Sequence, residues 1–430
     1  MFAPQIGMPT TKTTSYKVIL PFYLYASLSF LAGCVLLFTS NQAFLNHYFH
    51  PHILAITHTM ALGWATMIIL GASHQLVPVL IEGRLYSEKL AFISFVFAAI
   101  GIPLLVYGFY VFDMGTPAKW GGHFIVLAVL TYLVNIVISI RRGKSENVHA
   151  MFVFTATLWL FFTVLLGLLL VYNFTTPILN KDSLHFLSLH AHAGIVGWFL
   201  LLVVGVASRL IPMFLISKYT NTRLLWRIFY LINAAIVLYL FVFYNDFGVK
   251  AIIFVPGLLV LSAVGLFIYY CRMAIKQRLR KQIDEQMKMS LTSVAMLLLP
   301  VVLLFIFIGI LFFTSGNKIN LITAYGFLTF FGWLTAIILG MTFKTLPFIV
   351  WNKVYHQRAA SQKTPNPKDL FNHPIFKIMS IVYLSGFLLF VVGILASWLL
   401  FLKAGSVFLI VAAVLYNLNV FKIITHKAVI

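Results

Sequence analysis

The chain has 430 residues, of which 62% are hydrophobic and only 9% charged, and its mean hydropathy is +1.00. Soluble domains carry charge on roughly a quarter of their residues, so the composition excludes that class and points to an integral membrane protein. A formal charge of +21 would suggest a nucleic-acid partner in a soluble chain; here no nucleic acid is expected, and the placement of the cations reports topology instead.

The first polar residues, up to Tyr16, show no cleavage site, so the first apolar run reads as a retained span rather than a signal peptide. Runs of roughly 20 apolar residues, enough to cross about 30 Å of hydrocarbon, then recur along the whole chain. Twelve are expected, at about 18–40, 53–80, 89–112, 121–140, 150–173, 186–215, 224–245, 249–271, 291–314, 320–350, 374–396 and 399–421. No stretch alternates as a barrel strand would. Helices are therefore expected, since a backbone in lipid must satisfy its own hydrogen bonds.

Threading these spans with the N-terminus in the cytoplasm leaves only Lys119, Lys181, Lys250, Lys318 and Lys403 outside, so 25 of the 30 cations lie inside. The inner set includes Arg141, Arg142, Lys144 and the basic run from Arg272 to Lys281. Both termini are expected in the cytoplasm, and the protein in the cytoplasmic membrane of a bacterium as a multi-pass chain. Cys34 and Cys271 are too few for a disulfide framework and supply no covalent haem attachment motif; both read as small apolar residues within helices.

A repeat is the next signal. Gly63-Trp64, Gly197-Trp198 and Gly332-Trp333 each precede a glycine (Gly71, Gly205, Gly340) and a proline (Pro78, Pro212, Pro347) at fixed intervals. The pattern falls on spans two, six and ten. One transmembrane domain, 1–430, made of three four-helix repeats at about 17–142, 148–272 and 290–425 and related by a pseudo-threefold axis, is the expected architecture. The glycines would let helices or a flat cofactor approach closely, and the prolines would bend the inner helices.

The same alignment sorts the histidines. His58 and His192 stand five residues before their Gly-Trp pairs, where the third repeat has Phe327. His190 corresponds to Ile56 and Tyr325. An ionisable residue inside a membrane span is a functional-site hypothesis, and iron or copper is what an imidazole most readily binds there. His190 and His192 are about 200° apart around a helix, so they face opposite sides of span six and can serve two cofactors, or one cofactor and one packing contact.

Eight of the 13 histidines lie outside or in the outer third, among them His47, His50, His52, His123 and His185. His123, at the depth of His58, is a candidate extra ligand or propionate partner. His74, 16 residues beyond His58, is too far along the helix to share its site and reads as a polar residue of the cytoplasmic side. All nine carboxylates (Glu82, Glu88, Asp113, Glu146, Asp182, Asp246, Asp284, Glu285, Asp369) fall in loops or at helix ends, which argues against a proton pump or proton-coupled carrier. No phosphate-cradling loop, zinc-protease motif or nucleophile elbow occurs.

The segment His190-Ala191-His192-Ala193-Gly194-Ile195-Val196-Gly197-Trp198 resembles the haem-copper oxidase superfamily, catalytic subunit I, in its cytochrome oxidase and nitric oxide reductase branch. That resemblance implies twelve helices in three arcs and an inner-helix His-x-His pair holding b-type haems. Two departures mark this chain: the pair is on span six rather than ten, and span seven lacks the family's adjacent copper-ligand histidines, there being none from Leu224 to Tyr244. A degenerate member, similar to NnrS-type haem-copper membrane proteins, is the better match.

The expectation is a haem-binding membrane protein with one or two b-type haems, with His58 on one face and His190 or His192 on the other. Copper is a further candidate cofactor, without the usual three-histidine site. Such a protein would serve redox chemistry or nitric oxide or oxygen binding, with oxidoreductase activity left open, membrane lipid around it, a periplasmic electron donor and a small gas as ligand. The alternative is a carrier or insertion factor for haem or copper that uses the histidines transiently.

Overall fold

A computed structural model describes residues 14–143, 147–245, 252, 254–313, 319–355 and 364–428. Lys144, Glu146, Asp246, Lys250 and Lys318 lie outside the described residues. Among the described residues, twelve helices are long and apolar enough to cross a membrane: α1 Tyr16–Thr39, α2 Pro51–Leu80, α3 Glu88–Tyr110, α4 Thr116–Arg141, α5 Val148–Thr175, α6 Leu187–Leu215, α7 Thr222–Asn245, α8 Phe254–Lys276, α9 Glu285–Ile310, α10 Ile319–Tyr355, α11 His373–Leu395 and α12 Leu399–Ile424. Each coincides with one expected span. The chain is a multi-pass membrane protein.

Local chemistry sets the helix starts. Ser87, Asn147, Asp284 and Asn372 each accept a hydrogen bond from a first-turn backbone N–H, those of Leu90, Ala150, Met287 and Ile375. In hydrocarbon there is little hydrophobic force between helices, so close packing of small residues replaces it. A Cβ on Gly71 would come within 2.6 Å of the Phe22 Cβ, one on Gly205 within 2.3 Å of the Phe152 Cβ, and one on Gly340 within 2.3 Å of the Ser290 hydroxyl. These three glycines therefore seat α2, α6 and α10 against α1, α5 and α9. Cys34 and Cys271 are free and buried.

α2, α6 and α10 are the most enclosed spans. Trp64, Trp198 and Trp333 are fully or almost fully buried on them. The Trp64 indole N–H donates to the Thr335 hydroxyl of α10 and that of Trp198 to the Thr66 hydroxyl of α2, both at 3.1 Å. These bonds tie inner helix to inner helix where an unmet donor would be costly.

One feature was not anticipated. Each inner helix changes from α to π winding at its Gly-Trp pair, over Thr59–Thr66, Ala193–Leu200 and Leu328–Leu334. The windings begin directly after His58, His192 and Phe327. Pro78, Pro212 and Pro347 lie downstream, inside regular α-helix. The irregularity of these helices is therefore at the glycine-tryptophan pair rather than at the prolines alone, and π segments of this kind recur at functional sites.

Candidate functional site: two imidazoles in an apolar cavity

His58 is the last residue of the regular helical turns of α2, and its Nδ1 lies 2.8 Å from the carbonyl oxygen of Leu54. His190 of α6 places its Nδ1 3.2 Å from the carbonyl of Thr163 in α5. A carbonyl can only accept, so in both rings Nδ1 carries the hydrogen and Nε2 keeps its lone pair. That is the tautomer, and the outer anchoring, that a metal-ligating histidine needs. The two ring centroids are 6.3 Å apart and the planes 18° from parallel.

The rings line one cavity of about 270 Å³, enclosed by α2, α3, α4, α5, α6 and α10. Its walls are chiefly apolar, including Leu105, Phe109, Leu160 and Phe199, with Gly122, Gly167 and Gly194 among the lining residues. Gly167 is required for the seating of His190: a Cβ there would approach the ring Cε1 to 2.8 Å. Phe109 packs beside His58 with ring centroids 4.6 Å apart.

His192 turns elsewhere. Its Nδ1 is 2.7 Å from the Ser188 carbonyl, and its ring lies 5.4 Å from that of Tyr239 in α7 and 5.9 Å from that of Tyr325 in α10. Tyr325 also lines the cavity of His58 and His190. At the position of His58 on α10, Phe327 is buried in a stack with Phe331, Phe387 and Phe390 at 4.9, 5.9 and 4.5 Å.

The remaining histidines are dispersed. His123 is not among the cavity-lining residues; its Nδ1 meets the Lys119 carbonyl at 2.7 Å and its Nε2 the Tyr172 hydroxyl at 3.4 Å. His47 accepts from the Phe49 N–H, His50 accepts from the His52 N–H, and His52 stacks on Tyr110. His185 packs on Phe186 and Phe243. His74 is wholly buried rather than simply on a polar side, against Phe22 and Tyr132, with neither ring nitrogen hydrogen-bonded among the described residues. Among the described residues no three His, Cys, Asp or Glu side chains gather as a metal site.

Sequence reasoning named His58 and His190 but left His190 and His192 as alternatives for the opposite face. It missed Gly167, the Thr163 carbonyl and Tyr325 as parts of this neighbourhood. Tyr325 had a signal, its alignment with His190; a backbone carbonyl has none.

No protein-family model matches the chain, and no curated protein matches it in sequence. Solved structures do match, 38 chains in number. One of them is a cryo-EM structure described as a heme-copper terminal oxidase dimer, with a TM-score of 0.58 and 10% sequence identity over 96% of this chain and 84% of that one. The fold is that of a haem-copper oxidase. With identity so low, the likeness reaches the arrangement of helices and no further. Within the oxidase fold, the His58–His190 cavity lies between the second and sixth helices of this chain.

Proposed function

We propose that the protein is a haem-binding membrane protein that holds a b-type haem between α2 and α6, with His58 and His190 as the residues that would hold it. The observation that carries this reading is the facing pair of imidazoles in an apolar cavity. A fit test supports it. Two metal–nitrogen bonds of about 2.0 Å and two imidazole radii of about 1.1 Å would span about 6.2 Å between ring centres. The centroids stand 6.3 Å apart.

The haem, when bound, supplies one-electron redox chemistry. The chain's own residues do the rest. The Leu54 and Thr163 carbonyls hold the Nδ1 hydrogens and so leave both Nε2 lone pairs free to hold a metal. Leu105, Phe109, Leu160 and Phe199 exclude water and lower the local dielectric, which tunes the potential. Held by both imidazoles, the group would serve electron transfer or sensing, and a gas such as nitric oxide or oxygen would bind only if one imidazole gave way.

In this reading the twelve helices form three four-helix arcs around α2, α6 and α10, both termini are cytoplasmic, and the haem sits in the outer third of a bacterial inner membrane. A periplasmic electron donor then reaches it over a short distance. The protein is then a degenerate, NnrS-like relative, with copper as a further cofactor held outside the family's usual site. The carrier alternative needs a passage between the inner helices. The Trp64–Thr335 and Trp198–Thr66 hydrogen bonds tie the three inner helices to one another, an arrangement in keeping with a resident cofactor.

The test is a reduced-minus-oxidised optical spectrum of the purified protein and of His58→Ala and His190→Ala. Sharp b-type bands lost in both variants support the assignment. A wild-type protein without such bands after expression with added haem overturns it.

A further inference from the structure

One end of the helical bundle carries cations that no carboxylate among the described residues pairs. There α6 and α8 end and α7 begins, and the two connections are joined. Ser217 and Arg278 form an isolated antiparallel bridge, the Leu279 N–H donates to the Ile216 carbonyl at 3.0 Å, and Arg280 donates to the Phe214 carbonyl at 3.4 Å. The result is a fixed platform rather than two separate loops.

Lys218, Arg223, Arg227, Arg272, Lys276 and Lys281 are exposed on and around it. The ion pairs among the described residues involve only Asp284, engaged by Arg280 and Lys344, and Glu285, engaged by Lys288. None of the six exposed cations has a carboxylate. In addition, Arg278 Nε is buried without a hydrogen-bond partner in the structure, an arrangement that a bound anion would relieve.

Apolar surface lies at the same level. Met213, Ile216 and Leu279 are more than half exposed. Tyr230, one turn along α7 from Arg227, and Tyr269, one turn before Arg272 on α8, are equally exposed. Tyrosines mark the headgroup level of a bilayer, and arginine and lysine reach from there to the phosphates. The ligand that fits must therefore be anionic at one end and apolar at the other.

We infer that this platform is a binding site for anionic phospholipids, the phosphates engaging the cations and the acyl chains lying along Met213, Tyr230 and Tyr269. A site of this kind goes beyond the general excess of cations that orients a membrane protein, because it selects lipid headgroups. It stands independently of any haem.

The experiment uses the full-length protein in bilayer nanodiscs made from phosphatidylcholine with an equal share of phosphatidylglycerol or cardiolipin. Lipid retained after transfer to detergent is read by native mass spectrometry, and thermal midpoints are measured in parallel. The expected result is several-fold enrichment of the anionic lipid over its share in the disc, a raised midpoint, and loss of both in R223Q/R227Q/R272Q/K276Q with the phosphatidylcholine midpoint unchanged. Should that variant fail to insert, the wild-type protein provides the decision: enrichment must fall steeply as salt is raised during transfer. Retained lipid that mirrors the disc composition, or enrichment indifferent to salt, overturns the proposal.

Discussion

The ring of His192 lies 5.9 Å from that of Tyr325 across the α6–α10 interface, while the ring of His190 lies 6.3 Å from that of His58 across the α2–α6 interface. In the Gly-Trp register His192 stands where His58 does, and Tyr325 where His190 does. One helix therefore presents two imidazoles to two different interfaces. Only the first interface has an imidazole on each side.

A division of roles between the two histidines of α6 follows. His192→Ala is expected to leave the optical bands of the proposed haem at full intensity, whereas His190→Ala abolishes them. Equal loss in both variants, measured in the reduced-minus-oxidised spectrum per mole of protein, would show that the two rings are not functionally separate.

Gly167 gives a second handle on the same ring. In Gly167→Ala the new methyl would press on His190 Cε1 at 2.8 Å, so the imidazole must turn away from the Thr163 carbonyl. Loss of such an outer anchor typically costs about 10–100-fold in affinity for the bound metal group. Haem titration of the variant should show a weakening of that order, with the helical content by circular dichroism unchanged.

The interlocking of the inner helices can be tested apart from the cofactor. Thr335→Val leaves the buried Trp64 indole N–H, outside the cavity lining, without its acceptor, at a cost of about 1–3 kcal/mol. The thermal midpoint should fall while the optical spectrum stays as in the wild type. A spectrum altered as much as by His58→Ala would mean that the tryptophan layer positions the imidazoles as well as the helices.

Asp284 predicts a pH dependence. Burial by itself would raise its carboxyl pKa, but the Lys344 ammonium, the Met287 N–H and the Arg280 guanidinium together hold it below the ordinary 3.8. A group whose pKa is depressed on folding contributes stability that is present above its unfolded value and lost as pH falls through the folded one. Thermal midpoints should therefore drop as pH is lowered below about 4, and Asp284→Asn should have a lower midpoint at neutral pH with a flatter acid limb. An acid limb identical to that of the wild type would remove Asp284 from the explanation.

The sequence by itself determined the membrane class, the number of spans and their approximate positions. Apolar run length is a local property, and a helix in lipid must satisfy its own backbone whatever surrounds it. It also singled out His58, His190, His192 and His123, because an imidazole within an apolar run stands out in one dimension, but not which of them share a cavity. The tertiary structure decided which α6 histidine meets His58, because helix rotation depends on packing against α5, where Gly167 admits the His190 ring and the Thr163 carbonyl anchors it. It decided the π winding at each Gly-Trp pair as well. That winding redistributes backbone hydrogen bonds in an enclosed helix, and no local pattern of side chains announces it.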